Sequence, residues 1–237
     1  MAAFLLSFYE RFGLNSFVQG DYAKAERWFR KLESKEPDSL RVLRNLGVIL
    51  LAKGDAEGAE RLILKEERLY GQSFHRHSAL GDIAYARGKR KEAERRYAAA
   101  LACPEAARDG RNSGSRLILE CRREIWSQED SFARSRESMD LFARGEAARE
   151  AGTKAAAAAL FEEAALLDPT NWPALNNAGT IALNDLLDPL RARGLFERAF
   201  ELARSPQVAR NLELAEMALA KTDKKSGAKA GAKGGRV

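Results

Sequence analysis

The sequence predicts an all-α chain, an α-solenoid of helix-turn-helix repeats closed by a C-terminal capping helix. Two observations carry this. Small residues recur at a fixed interval: Gly13, Gly47 and Gly81 lie 34 apart, as do Gly20, Gly54 and Gly88, and Ala25, Ala59 and Ala93. The register then jumps by 64, from Gly81 to Gly145, Gly88 to Gly152 and Ala93 to Ala157, before Gly145 to Gly179 returns to 34 and Ala157 to Ala192 gives 35. A period of this length marks two-helix units stacked in a row. Secondly, only six prolines interrupt long stretches of Ala, Leu, Glu and Arg, which favour helix over strand.

Each element follows from its residues. In the second unit Leu43, Leu46, Gly47 and Leu50 share one helical face, and Gly47 lets a neighbouring helix come close. Gly54 ends that helix and Asp55 caps the next. Ala59 and Ile63 then face back across the pair, as Ala25 and Phe29 do in the first unit, where Pro37 stops the second helix. Residues 106–137 break the pattern. They open with a loop by composition, followed by an apolar stripe of Ile118, Cys121, Ile125 and Trp126 and then by Phe132 and Met139. Either a degenerate helix pair or one long helix from near Ser115 fits them. The fifth unit carries an extra residue and Pro189 where the turn glycine belongs, which puts its turn in question but not its helices. Residues 205–221 read as a capping helix, with Val208, Leu212, Ala215 and Leu219 inward.

The expected organisation is therefore three repeats over 1–105, an irregular helical connector over 106–137, two repeats plus the capping helix over 138–221, and a disordered basic tail over 222–237. Residues 221–237 hold six Lys and Arg against Asp223 alone, which accounts for +5 of the formal charge of +6. The body is nearly neutral, and the pI of 9.4 describes the tail.

The repeated residues resemble the tetratricopeptide repeat, whose pattern is W-x₂-L-G-x₂-Y, then A-x₃-F, then P. The matches are Tyr9, Phe12 and Gly13 with Ala25, Phe29 and Pro37; Leu43, Leu46 and Gly47 with Ala59 and Ile63; and His77, Leu80 and Gly81 with Ala93 and Tyr97. Later come Leu141 and Gly145 with Ala157, Phe161 and Pro169, then Leu175 and Gly179 with Ala192 and Phe196. The resemblance covers residues 6–105 and 138–205. It implies a tetratricopeptide-type solenoid whose groove, lined by the first helix of each unit, holds a peptide or partner helix.

Composition and motifs point away from chemistry. There is no P-loop, no dinucleotide fingerprint, no H-E-x-x-H and no C-x-x-C. His75 and His77 are two apart and point to different sides of a helix, so they read as one surface and one packing histidine. Cys103 and Cys121 read as reduced, semi-buried small hydrophobes. No enzyme activity, cofactor or metal is expected. No apolar run is long enough to cross a bilayer, and the N-terminal stretch breaks at Glu10 and Arg11 without a signal-peptide pattern. The expected location is cytoplasmic, or periplasmic if a leader has been removed.

The function expected from the resemblance is a bacterial-type, non-enzymatic scaffold that binds another protein or peptide. Its groove residues are expected to be Arg41, Arg44, Asn45 and Val48, then His75, Ser78, Asp82 and Tyr85, then Met139, Phe142, Glu146 and Arg149, and lastly Asn176, Asn177, Thr180 and Asn184. Arg41 and Arg44, three apart on one helix, point to an acidic or C-terminal segment, or else pair with Glu10 and neighbouring acids. The carboxylate-clamp subset of the family is disfavoured: Asn45 sits at a matching place, but Glu10 and Leu14 stand where Lys and Asn belong, and Asn177 lacks its partner lysine. Two alternatives stay open. One is an exported chaperone or adaptor of a secretion or pilus system. The other is a weak binder of nucleic acid or anionic surfaces through the tail and the basic cluster of Arg87, Lys89, Arg90, Lys91, Arg95 and Arg96.

Overall fold

A computed structural model of the chain describes residues 2–106 and 113–233, with side chains at 4–106 and 115–222. Among these residues every regular element is helical, and the chain divides into two compact units, Met1–Ala106 and Ala107–Val237.

The first unit is three helix pairs: α1 (Ala2–Val18) with α2 (Tyr22–Glu33), α3 (Leu40–Lys53) with α4 (Ala56–Tyr70), and α5 (Phe74–Ala86) with α6 (Arg90–Ala102). A short 3-10 turn, Pro104–Ala106, follows. The turns of the first two pairs share one device, and the third keeps its glycine, Gly88 at φ 73°, but has Lys89 in place of the capping aspartate. Gly54 takes a left-handed conformation at φ 88°, and the Asp55 carboxylate accepts a bond from the Gly58 amide at 2.8 Å. Asp21 caps α2 in the same way through the Lys24 amide, at 3.0 Å. One orphan amide of each of these two helix starts is thereby satisfied.

Within each pair a glycine of the first helix meets a ring of the second. A Cβ built on Gly13 would lie 2.6 Å from the Phe29 ring, and one on Gly81 2.7 Å from the Tyr97 ring. Both rings are wholly buried, each worth about 1.5–3 kcal/mol of transfer free energy. Gly47 is different. Its partner is Ile63, and a Cβ there would find its nearest neighbour at 3.9 Å, so the close approach expected at Gly47 does not occur. An isoleucine leaves the space that an aromatic ring fills in the other units.

The second unit contains α7 (Ser113–Trp126), α8 (Glu129–Glu150), α9 (Lys154–Leu167), α10 (Trp172–Asn184), α11 (Pro189–Ala203) and α12 (Pro206–Lys233). Gly145 against Phe161 and Gly179 against Phe196 repeat the glycine–ring contact, at 2.8 and 2.6 Å. The connector resolves into neither alternative as drawn. α7 is a single helix packed on α11 and α8, the chain turns at Ser127 and Gln128, and a single 22-residue helix, α8, absorbs 129–137 together with the first helix of the fourth repeat. Leu119 and Trp126, seven apart, are the buried side chains of α7, whereas Ile118, Cys121 and Ile125 are half-buried. Trp126 Nε1 donates to Ser135 Oγ at 3.2 Å and fastens α7 to α8.

In the fifth repeat both helices form despite the altered turn. Leu187 takes the left-handed conformation at φ 54°, Asp188 caps α11 through the Arg191 amide, and Pro189 occupies the first helical position, where its missing N–H costs nothing. α12 buries Val208 and Ala215 and half-buries Leu212 and Leu219, while Arg210, Glu213 and Glu216 stay exposed. The tail differs from expectation. The segment from 222 continues α12 as far as Lys233, in keeping with the helix propensity of its Ala and Lys residues. Residues 234–237 lie outside the described residues.

Candidate partner-binding face

In the first unit the face is built on α1, α3 and α5. Arg41 on α3 forms an ion pair with Glu10 on α1, and donates to Glu36 at 3.0 Å. The pairing with Glu10 raised by the sequence is thus realised, and it links the first helices of two successive repeats. Arg41 is spent on this structural contact.

Arg44 is placed differently. It is about half exposed, and its guanidinium reaches Glu66 Oε1 at 3.4 Å. That carboxylate already holds Arg76, whose Nε donates to it at 2.9 Å and whose Nη1 donates to the Gly71 carbonyl. Glu66 and Arg76 are almost fully buried and form the closer pair, so removing either would leave a buried charge unpaired. One carboxylate therefore serves two guanidiniums, and a positive charge is left over at Arg44. His75 feels it: desolvation first, and then the Arg44 charge, lower its pKa, although part of the ring remains in solvent.

Around Arg44, Val48 is exposed one turn along, and Asn45 makes no hydrogen bond among the described residues. Asp82 is exposed, and its Oδ1 accepts from the Tyr97 hydroxyl at 2.6 Å. Ser78 turns its hydroxyl back to the Phe74 carbonyl at 2.8 Å. Tyr85 is only 6% exposed and lies in the core, so it does not line the face as expected. Its apolar ring was better suited to the stack than to the wall.

In the second unit the expected residues are largely committed to one another. Glu146 accepts from Arg149 at 2.6 Å and from Asn177 Nδ2 on α10 at 2.7 Å, again joining first helices of successive repeats. Phe142 is half-buried against Phe161, with ring centroids 5.3 Å apart, and Met139 is half-buried. Thr180 returns its hydroxyl to the Asn176 carbonyl. Asn176 is buried, and its Oδ1 accepts from Asn211 Nδ2 on α12 at 2.9 Å. It braces the capping helix and does not line an open groove. Asn184 is exposed at the end of α10.

The sequence reading missed Glu66 and Arg76, and a signal for them existed. Glu66 falls 34 residues after the buried Leu32, and Arg76 falls 34 after the buried Val42. An acid and a base at two core positions of adjoining helices predict a buried pair.

The remaining polar candidates are accounted for locally. His77 is buried, with its Nδ1 between Arg96 Nη1 at 3.3 Å and Glu67 Oε1 at 3.5 Å, and desolvation lowers its pKa. The basic cluster at α6 does not form an open stripe: Arg87 pairs with Glu60 and Arg96 with Glu67, both on α4, while Lys89 and Arg95 lie beside Glu92. Cys103 and Cys121 are free and half-buried, and desolvation raises the pKa of each thiol. Among the described residues no cluster of His, Cys, Asp and Glu could hold a metal, and no helix is long and apolar enough to cross a membrane.

No family model and no curated relative matches the chain. Solved structures similar to it include MamA from Desulfovibrio magneticus RS-1, at 17% identity over 85% of this chain and 97% of that one, with a TM-score of 0.43. YrrB, described as a TPR protein with an unusual peptide-binding site, is 15% identical over 86% of this chain and 90% of its own, with a TM-score of 0.39. Yeast Tom70 is 18% identical over 92% of this chain and 40% of its own, with a TM-score of 0.43. At such identities and scores no role passes from any of them to this chain. The fold is evident from the chain's own contacts, paired helices at a 34-residue period in each unit, with a first-helix glycine seating a second-helix ring in every described pair but that of Gly47 and Ile63. By that geometry the fold is all-α, a run of helix pairs of tetratricopeptide-like form.

Proposed function

We propose that this chain is a non-catalytic protein-interaction scaffold, and that the face of α3 and α5 in its first unit takes an extended acidic segment of another protein. The observation that supports the reading is the shared carboxylate. Arg44 and Arg76 converge on Glu66 alone, so Arg44 keeps a surplus charge and spare donors beside Val48, Asn45 and His75. A carboxylate of the partner would complete the guanidinium's hydrogen bonding, Val48 would meet an apolar side chain, and the Asn45 amide could both donate to and accept from an extended backbone. Asp82 adds a negative charge at the next repeat, which confines the acidic preference to the α3 end and fixes the direction of the segment. The pairing of Arg87 and Arg96 with acids of α4 interrupts the basic cluster and favours this reading over nucleic-acid binding, which needs a continuous basic track.

The test is a binding titration against acidic, neutral and basic peptides of equal length. Arg44→Ala should weaken binding of the acidic set by about 1.5 kcal/mol, the scale of a hydrogen bond to a charged group. Arg41→Ala should matter less, because its side chain is already paired, and Lys91→Ala on α6 should not matter at all. Equal binding of all three peptide sets, or a larger loss from Lys91→Ala than from Arg44→Ala, would overturn the proposal.

A further inference from the structure

The outer face of α1 is an unfinished stacking surface. Thirty-four residues after Phe8 and Phe12 stand Val42 and Leu46 on α3, both fully buried in the core of the first unit. In the next repeat Arg76 and Leu80 occupy the same places on α5, again buried. On α1 the same register positions lie open: Phe8 is 40% and Phe12 38% exposed, and Phe4, one turn earlier, is 76% exposed. A helix face left open to solvent is ordinarily polar. This one shows three phenylalanines with Arg11 as its charged side chain, since Glu10 is engaged by Arg41.

The rings are held in place. Phe8 and Phe12 lie 4.2 Å apart between centroids, Phe12 packs on Trp28 at 5.6 Å, and Lys31 Nζ closes the far side of Trp28 at 4.3 Å. At roughly 200 Å² per aromatic side chain, the exposed fractions leave about 300 Å² of ring surface open, and Leu5, Leu14 and Val18 enlarge the patch. That is about as much contiguous apolar surface as monomers tolerate.

We propose that this face is a homodimer interface, in which α1 of one copy packs antiparallel on α1 of a second. The spacing supplies the argument. Phe4, Phe8 and Phe12 are four apart, so the pattern is symmetric about Phe8. A twofold axis at Phe8 sets Phe8 against its own counterpart and pairs Phe4 with the partner's Phe12 about 6 Å to either side. Arg11 then falls opposite the partner's Leu5, and the two arginines avoid each other. The rings of the two faces bring together about 600 Å², the size of a weak association that depends on concentration.

Sedimentation of the intact chain across a micromolar concentration series tests this. The mass should rise from one chain of 26.2 kDa to two and stop there. Phe4→Glu, at the most exposed of the rings and away from Trp28, should weaken the association about tenfold or more. Because Phe8 meets itself, Phe8→Asp and Phe8→Lys should each give one-chain species with wild-type helicity, and mixing the two variants should restore the two-chain species. A wild type that stays single at every concentration, a series that grows beyond two chains, or a mixture that fails to recover would each overturn the proposal.

Discussion

One methyl group distinguishes Gly81 from Gly47. At Gly81 it would press on a buried tyrosine ring at 2.7 Å, and at Gly179 on a buried phenylalanine at 2.6 Å; at Gly47 it would make an ordinary contact with Ile63 at 3.9 Å. Gly81→Ala and Gly179→Ala should each cost about 1–3 kcal/mol, the scale of overpacking a closed core. Gly47→Ala should be neutral or should stabilise by up to about 1 kcal/mol, because alanine is the better helix former. Urea melts followed by circular dichroism decide it, and equal losses at all three sites would refute the ring-in-glycine account. The 34-residue period made the glycines legible. The absence of a ring opposite Gly47 was legible too, in the isoleucine of Ala59-x₃-Ile63, but its consequence needed distances. His77 carries a second expectation at this scale. Burial lowers its pKa below the ordinary histidine value near 6.5. The unfolded chain therefore binds the proton more readily, so stability is full above that value and is lost as the pH falls below it. His75 shifts the same way. The melting temperature should fall between about pH 7.5 and 5.5, and less steeply in His77→Asn. Identical slopes in the two proteins would show that His77 is not held neutral by the fold.

At the scale of the element, helix starts and stops were written locally and could be read locally. Asp21, Asp55 and Asp188 cap the helices that follow them, and each glycine turn sits where its repeat places it. The connector was harder, because α7 is held by side chains from other helices. Trp126 finds its partner in Ser135, and Arg122 reaches Thr170, 48 residues away, at 3.4 Å. No local spacing reports such contacts. The turn before α11 yields a prediction of its own. A leucine at φ 54° bears the steric penalty of the left-handed region, and Leu187 is 78% exposed, so its side chain gives little back. Leu187→Gly should stabilise the chain by about 0.5–1 kcal/mol, the penalty relieved less the entropy of an added glycine. Leu187→Val, with a branched side chain at the same backbone angle, should destabilise it. Denaturant midpoints that rank the two variants in the opposite order would remove the strain argument.

At the scale of the molecule, two core clusters share no member, and buried rings such as Tyr97 and Trp126 lie outside both. Phe29, Leu46, Ile63 and Leu80 belong to one, within residues 1–106, and Phe161, Leu175, Phe196 and Val208 to the other, within 107–237. The jump of the repeat interval from 34 to 64 showed where periodicity lapses, but the candidate face was less legible than the fold. Helical spacing could place Arg41 and Arg44 on one wall. It could not tell which of them was already spent, because that depends on Glu10 and Glu66 in other helices. If the first cluster is self-sufficient, residues 1–106 expressed alone should melt in one cooperative helical transition. The cost of Gly81→Ala in that fragment should then match its cost in the full chain to within about 0.5 kcal/mol, as expected for sites with no common partners. The glycine pair also supplies an internal control, since Gly47→Ala should stay harmless in both settings. A fragment without a cooperative transition would mean that this core needs the rest of the chain. A fragment that melts cooperatively but tolerates Gly81→Ala would mean instead that the Tyr97 ring yields to the added methyl, and the close contact at Gly81 would not be what fixes this pair.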